Sequence, residues 1–122
     1  MTEPQRAIVL FAHGSRDPAW SRPIEAVVGR MRQLDSSALV TCAFLELMQP
    51  DLAGAARSLV AAGANRIQVV PMFLGLGRHV RKDLPALLAA VGREHPRVRF
   101  DLRQAIGEEP RVVDLMAEIA LS

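Results

Sequence analysis

The 122-residue chain carries three histidines, His13, His79 and His95. Imidazole is the side chain best suited to exchange protons or hold a divalent metal near neutral pH. His13 stands in AHGSRDP, directly after an apolar run, and His79 stands 66 positions later in GLGRHV. Glu46 holds the comparable place in FLELMQP. Two imidazoles and a carboxylate are what a loosely held divalent ion or a proton-accepting site requires. Spacing alone leaves a plainer reading open, in which His13 caps a turn, His79 faces solvent and Glu46 helps to start a helix. His95, in EHPR, fits a helix terminus.

Other chemistries find less support. Ser15 has no G-x-S-x-G elbow around it, and His13 lies almost beside it, unlike the chain order of an α/β-hydrolase triad. Gly14, Ser15 and Asp17 favour a tight turn before a helix. Gly75 and Gly77 resemble half of a dinucleotide fingerprint, but they follow a third strand and Val80 stands where the third glycine belongs, so no Rossmann cofactor is expected. The single cysteine, Cys42, excludes an internal disulfide or a Cys-only zinc or iron–sulfur site within one chain, and fits a small core residue.

These residues need elements to position them, and hydrophobic periodicity supplies a βαβαβαβα order. Residues 6–12 (RAIVLFA) form a continuous apolar run, the pattern of a strand buried on both faces. A helix over 20–34 follows, with Ile24, Val27, Val28, Met31 and Leu34 at three- and four-residue spacing and Pro23 in its first turn. Residues 39–45 (LVTCAFL) are a second strand; Asp51 caps a second helix, which Gly63 stops; residues 67–70 are a third strand. The third helix ends near Arg93, with Leu84, Leu87, Leu88 and Val91 on one face. Pro85 fits its first turn behind an Asp83 cap, leaving 80–82 a preliminary turn. A fourth strand covers 98–102, and a last helix over 110–121 buries Val112, Val113, Leu115, Met116 and Ile119.

Strands alternating with helices of this length predict right-handed crossovers and a four-stranded parallel sheet covered on both faces, a three-layer α/β domain with flavodoxin-like winding. The length fits one domain spanning 1–122. Ligands of such sheets bind at the carboxyl ends of the strands. That selects the loops 13–18, 46–50, 71–79 and 103–109, and so brings His13, Glu46 and His79 toward one cleft.

Composition narrows the function classes. Half the residues are hydrophobic and 23% are charged, as in a folded globular protein. The apolar stretches 7–12 and 67–76 fall short of the roughly 20 residues of a membrane span, and the polar amino terminus has no signal-peptide cleavage site, so a cytoplasmic protein is expected. Fifteen basic against 13 acidic residues do not suggest a nucleic-acid binder. Lys82 is the only lysine; the arginine bias suits carboxylate recognition but fits a GC-rich genome better. In the loop after strand three, Met72, Phe73, Leu74 and Leu76 are apolar where a polar turn is ordinary. They read either as packing under a helix or as a wall for a flat hydrophobic ligand, flanked by Arg78, Arg81 and Lys82.

AHGSRDP, FLELMQP and VVPMFLGLGRHVRKDLP, with AIGEEPRVVDLM as a weaker fourth motif, together resemble the small class II tetrapyrrole chelatases that include sirohydrochlorin cobaltochelatase and its ferrochelatase relatives. The resemblance implies insertion of a divalent ion, Co²⁺ first and Fe²⁺ next, into sirohydrochlorin on the route to cobalamin or siroheme. The metal would be a substrate, with no tightly bound cofactor. His13 and His79 match the family's active-site histidines, as metal ligands and proton acceptors, and Glu46 matches its acidic residue after strand two. Met72, Phe73, Leu74, Gly75 and Leu76, with Arg16, Arg78 and Arg81, would bind the flat, carboxylate-ringed macrocycle. Longer members hold two such domains facing one another, which implies a homodimer here. The absence of a histidine-rich segment lowers nickel. A tetrapyrrole or metal carrier without turnover is the alternative. A histidine-dependent phosphatase lacks support because Ala12 stands where its arginine belongs, and a receiver domain lacks its acidic cluster.

Overall fold

The computed structural model describes residues 5–122. Four parallel strands, β1 (Arg6–Ala12), β2 (Leu39–Phe44), β3 (Arg66–Pro71) and β4 (Arg99–Leu102), form one sheet in the order β2-β1-β3-β4. The chain first crosses to one side of β1, through α1 (Arg22–Leu34), and then to the other, through α2 (Leu52–Ala61) and α3 (Arg78–Glu94). The winding therefore reverses between β1 and β3, and the loops leaving these two strands diverge to open a crevice. This is the predicted architecture, with strand ends shifted by one residue or so.

The alternation of each strand fixes which helix it meets. Ala7, Val9, Phe11, Ala43, Ile67 and Val69 point to one face and pack with Leu52, Ala55, Ala56 and Leu59 of α2 and Leu84, Leu88 and Val91 of α3. Leu10, Val40 and Val70 point to the other, where they meet Val28 of α1, with Ile8, Met31, Met72 and Ile106 around them. Asp51 caps α2 as expected, accepting from the Gly54 amide at 2.8 Å. Gly63, at φ +104°, ends the following turn in the left-handed conformation that disfavours a side chain.

Three elements differ from the sequence expectation. The first helix opens with a 3₁₀ turn, Pro18–Ser21, because Asp17 accepts from the Ala19 amide at 3.0 Å before α1 begins at Arg22. α3 begins at Arg78 rather than after Asp83, so Pro85 lies inside it. A mid-helix proline costs about 3 kcal/mol. Leu84, Leu88 and Val91, all buried against the sheet on one helical stripe, hold the helix together across it, and burying a leucine contributes about 1.5–3 kcal/mol. The last helix, α4 (Pro110–Leu121), forms as predicted but buries none of its residues. Val113, Leu115, Met116 and Ile119 are exposed and Val112 is half-buried, against the expectation that this face lies in the core. The chain leaves β4 through a second 3₁₀ turn, Ile106–Glu108, and α4 packs chiefly on that turn rather than on the sheet.

Candidate active site

His13 directly follows β1, and its place is set by a close approach between two loops. The Glu46 amide donates to the His13 carbonyl at 3.1 Å and the Leu45 amide to the Ala12 carbonyl at 2.9 Å, extending the β1–β2 ladder past the strand ends. Gly14 makes this possible. It holds φ +99°, and a Cβ there would collide with the Glu46 carbonyl. The two side chains consequently meet: Nε2 of His13 lies 3.2 Å from Oε1 of Glu46, both half-exposed. Phe73 supports the imidazole from below, edge-on at 6.4 Å between ring centroids, and itself leans on Phe11 at 6.3 Å.

His79 arrives from β3. As the second residue of α3 it is carried on a helical turn, not at a loop end. A cavity of 410 Å³ joins the two histidines and is lined by His13, Leu45, His79, Val80, Asp83, Leu84 and Leu87. The α3 residues among these recur at a spacing that puts them on one helical face, so the same packing that carries the helix past Pro85 also builds the cavity wall. Its chemistry is two imidazoles and a carboxylate at an apolar floor. Among the described residues no group of three or more His, Cys, Asp or Glu side chains is arranged to hold a metal ion. His13, His79 and Glu46 thus offer a pair and a facing imidazole rather than a closed coordination cage.

The other residues singled out by sequence fall elsewhere. The side chain of Met72 belongs to the core beneath α1, and its amide donates to the Phe11 carbonyl at 2.7 Å. Phe73 props His13 instead of facing the cavity. Leu74 is 73% exposed, and its backbone lies against Gly107, where a Cβ would collide with it; the Gly107 amide donates to the Phe73 carbonyl at 3.0 Å. Gly75 is exposed with open space around it, and Leu76 is half-buried. Arg16, Arg78 and Arg81 are exposed, the last two on the first turn of α3 beside His79, and none of the three lines the cavity. Leu45, Val80, Asp83, Leu84 and Leu87 supply the wall that sequence assigned to residues 72–76. The i, i+4 spacing of His79 and Asp83 is the sequence signal for this wall, and it counts only if α3 begins before Pro85, as it does.

Three remaining features carry no comparable chemistry. His95 caps the end of α3 and packs on Phe100 at 6.3 Å. Burial pushes the Cys42 thiol above its ordinary value, as suits a core cysteine rather than a nucleophile. An open hollow of 390 Å³ between α3 and β4, lined by Pro85, Leu88, Ala89, Gly92, Val98, Phe100 and Leu102, contains no titratable side chain.

Similarity to known proteins extends over most of the chain. The chain is 31% identical over 114 residues to a sirohydrochlorin cobaltochelatase of Sulfolobus acidocaldarius, covering 93% of this chain and 88% of that one. It is 29% identical over 113 residues to a sirohydrochlorin ferrochelatase of Priestia megaterium, covering 92% of this chain and 42% of the relative, so it spans less than half of that longer protein. Its backbone superposes with a TM-score of 0.83 and 32% identity on the crystal structure of a CbiX protein assigned to cobalamin (vitamin B12) biosynthesis in Marinobacter aquaeolei VT8, covering 95% of this chain and 94% of that one. The CbiX family model matches residues 7–121, from β1 to the last residue of α4, and the chain belongs to that family.

Proposed function

We propose that the protein is a sirohydrochlorin chelatase, inserting Co²⁺ or, next in preference, Fe²⁺ into the macrocycle. The observation that carries this reading is the convergence of His13 and His79, from the two strands where the winding reverses, on one apolar-floored cavity with Glu46 beside it. Insertion exchanges two pyrrole N–H protons for one divalent ion, so the site must present the metal and take the protons. Two imidazoles without a third protein ligand among the described residues leave coordination positions for water and then for the pyrrole nitrogens. Glu46 accepts from the His13 imidazole once it is protonated, which fixes its orientation and balances its charge.

The apolar residues Leu45, Val80, Leu84 and Leu87 suit the flat ring, while Arg16, Arg78 and Arg81 are free to meet carboxylates at its rim. Leu74, Gly75 and Leu76 would act at that rim rather than at the floor, and Phe73 by supporting His13, whereas Met72 stays in the core beneath α1. A cavity of 410 Å³ reaches one face of so broad a ring, and a second copy of the chain would supply the other, giving a homodimer with the substrate at the shared cleft. No helix among the described residues is long and apolar enough to cross a membrane, in keeping with a cytoplasmic enzyme acting on a free tetrapyrrole.

The test is anaerobic incubation with sirohydrochlorin and Co²⁺ or Fe²⁺, following the absorbance change on insertion beside a no-enzyme control. His13→Ala and His79→Ala are expected to lose roughly 10²–10⁴-fold in rate, the span of one lost acid–base group. Rates no faster than the control with either ion would sink the reading and favour a tetrapyrrole or metal carrier.

A further inference from the structure

Asp83 lines the cavity between His13 and His79, yet the fold itself has no use for it there. An aspartate two residues before Pro85 fits a helix cap, but α3 starts five residues earlier, at Arg78. Position 83 is therefore helix interior, where amides already bond to carbonyls four residues back. It also lies beyond the first turn, the only part of a helix whose dipole favours an acid, and aspartate is a poor helix former.

Its partners along the helix are few. Side chains three and four residues away are within reach, and here these are His79, Val80, Ala86 and Leu87. The basic residues nearby, Arg78, Arg81 and Lys82, stand at other spacings. Among the described residues no ion pair joins Asp83 to a cation. Of the four neighbours in reach only His79 carries a donor. Side chains of a helix tilt toward its amino terminus, so Asp83 leans back over the turn that holds His79.

His79 is also the imidazole that lacks support. Nε2 of His13 has Glu46 at 3.2 Å, and its ring rests on Phe73. Among the described residues no side-chain hydrogen bond, ion pair or aromatic ring holds the imidazole of His79. A ring free about its torsions presents either nitrogen, and ordering it when a metal arrives costs binding free energy.

We infer that Asp83 is the positioning residue of His79: its carboxylate accepts from Nδ1–H of the imidazole and thereby aims the Nε2 lone pair into the cavity, toward His13. Nδ1 is the nitrogen nearer the backbone, and so nearer the helix surface that Asp83 shares, while Nε2 is at the outer end of the ring. Two imidazole–carboxylate pairs then face one another over an apolar floor, Glu46–His13 between loops and Asp83–His79 along one helix. Both members of the helical pair are exposed in the open chain, where such a pair holds weakly. A flat ligand laid over the cavity excludes water and strengthens it, so His79 becomes better ordered as the site is covered. This rests on the reading of His79 as a metal ligand in a chelatase and deepens it, but its test needs only Co²⁺ and no insertion.

The test is a Co²⁺ titration of the full chain without tetrapyrrole, followed by the visible d–d absorption of the bound ion. Asp83→Ala is expected to weaken binding about 10–100-fold, the usual effect of removing the carboxylate behind a metal-binding imidazole. Asp83→Glu, which returns the acceptor on a longer arm, should recover most of that loss. Glu94→Ala removes the same charge about 16 Å further along the helix and should leave the affinity within about twofold. In a His79→Ala background Asp83→Ala should change nothing further, because the carboxylate acts only through the imidazole. Where insertion is measured, Asp83→Ala should raise KM for Co²⁺ and leave kcat nearly unchanged. These binding results without any insertion would support the inference while removing the chelatase reading. Wild-type affinity in a folded Asp83→Ala protein, an equal loss from Glu94→Ala, or a full further loss in the His79→Ala background, the mark of an aspartate that binds the ion itself, would each overturn the inference.

Discussion

Replacing Gly14 with alanine should separate the loops that hold His13 and Glu46 together. Two costs arise at that position. The backbone stands at φ +99°, a conformation an L side chain rarely adopts, which costs about 1–2 kcal/mol. The added Cβ also collides with the Glu46 carbonyl, and because that atom is backbone and part of the β1–β2 ladder, no rotamer change relieves it. Overpacking against well-fixed atoms costs about 1–3 kcal/mol. Together the loss is about 2–5 kcal/mol, which for a domain of this length lowers the melting temperature by roughly 10–20 °C. The opening must also pull His13 away from Glu46, now 3.2 Å apart, so the insertion rate should fall even where the variant stays folded. Gly75→Ala is the control, since a Cβ at Gly75 meets open space and should change stability by less than about 0.5 kcal/mol. Chemical unfolding and the insertion assay on both variants decide the matter. A Gly14→Ala protein as stable and as active as the Gly75→Ala protein would refute the idea that this close approach builds the site.

Two further outcomes test the packing around it. Leu84 is 2% exposed and serves both the core and the cavity wall, so Leu84→Ala should lower the unfolding free energy by about 2–3 kcal/mol, near the low end for buried leucines because the neighbouring cavity is open; an unchanged denaturant midpoint would contradict its place in the core. Burial pushes the Asp101 carboxyl up, but hydrogen bonds from Arg66 and Arg99, each at 3.2 Å, outweigh it and hold the group below the ordinary aspartate range. A depressed folded-state pKa contributes stability that is present above the unfolded value, about 3.9, and is lost as pH falls through the folded value. Stability curves of wild type and Asp101→Asn should therefore differ at neutral pH and converge in acid; a constant offset across the range would show that the arginines do not act on the ionised carboxylate.

The site was more legible in the sequence than its walls, for a reason that lies in what each depends on. His13 and Glu46 follow β1 and β2 within two residues and His79 follows β3 by one loop, and in a parallel sheet the loops after the strands lie at one edge. The walls depend on where α3 starts. A proline in the sequence marks a helix start by local energetics, yet buried Leu84, Leu88 and Val91 carry α3 through Pro85, and tertiary packing decides against local preference. A helix started after Asp83 assigns His79 to a loop and leaves Val80, Asp83, Leu84 and Leu87 without a common surface, whereas α3 from Arg78 puts them on one face. α4 shows the opposite limit. Its apolar arc is evident from spacing, but the expectation that the arc lies in the core fails, because periodicity groups residues on one face without fixing where the helix packs. Periodicity says nothing about which molecule supplies the other side, and a chain that folds its last helix away from its own sheet has the same one-dimensional pattern as one that folds it back. Only the three-dimensional path, pinned at Gly107 and turned outward at Glu109, separates the two.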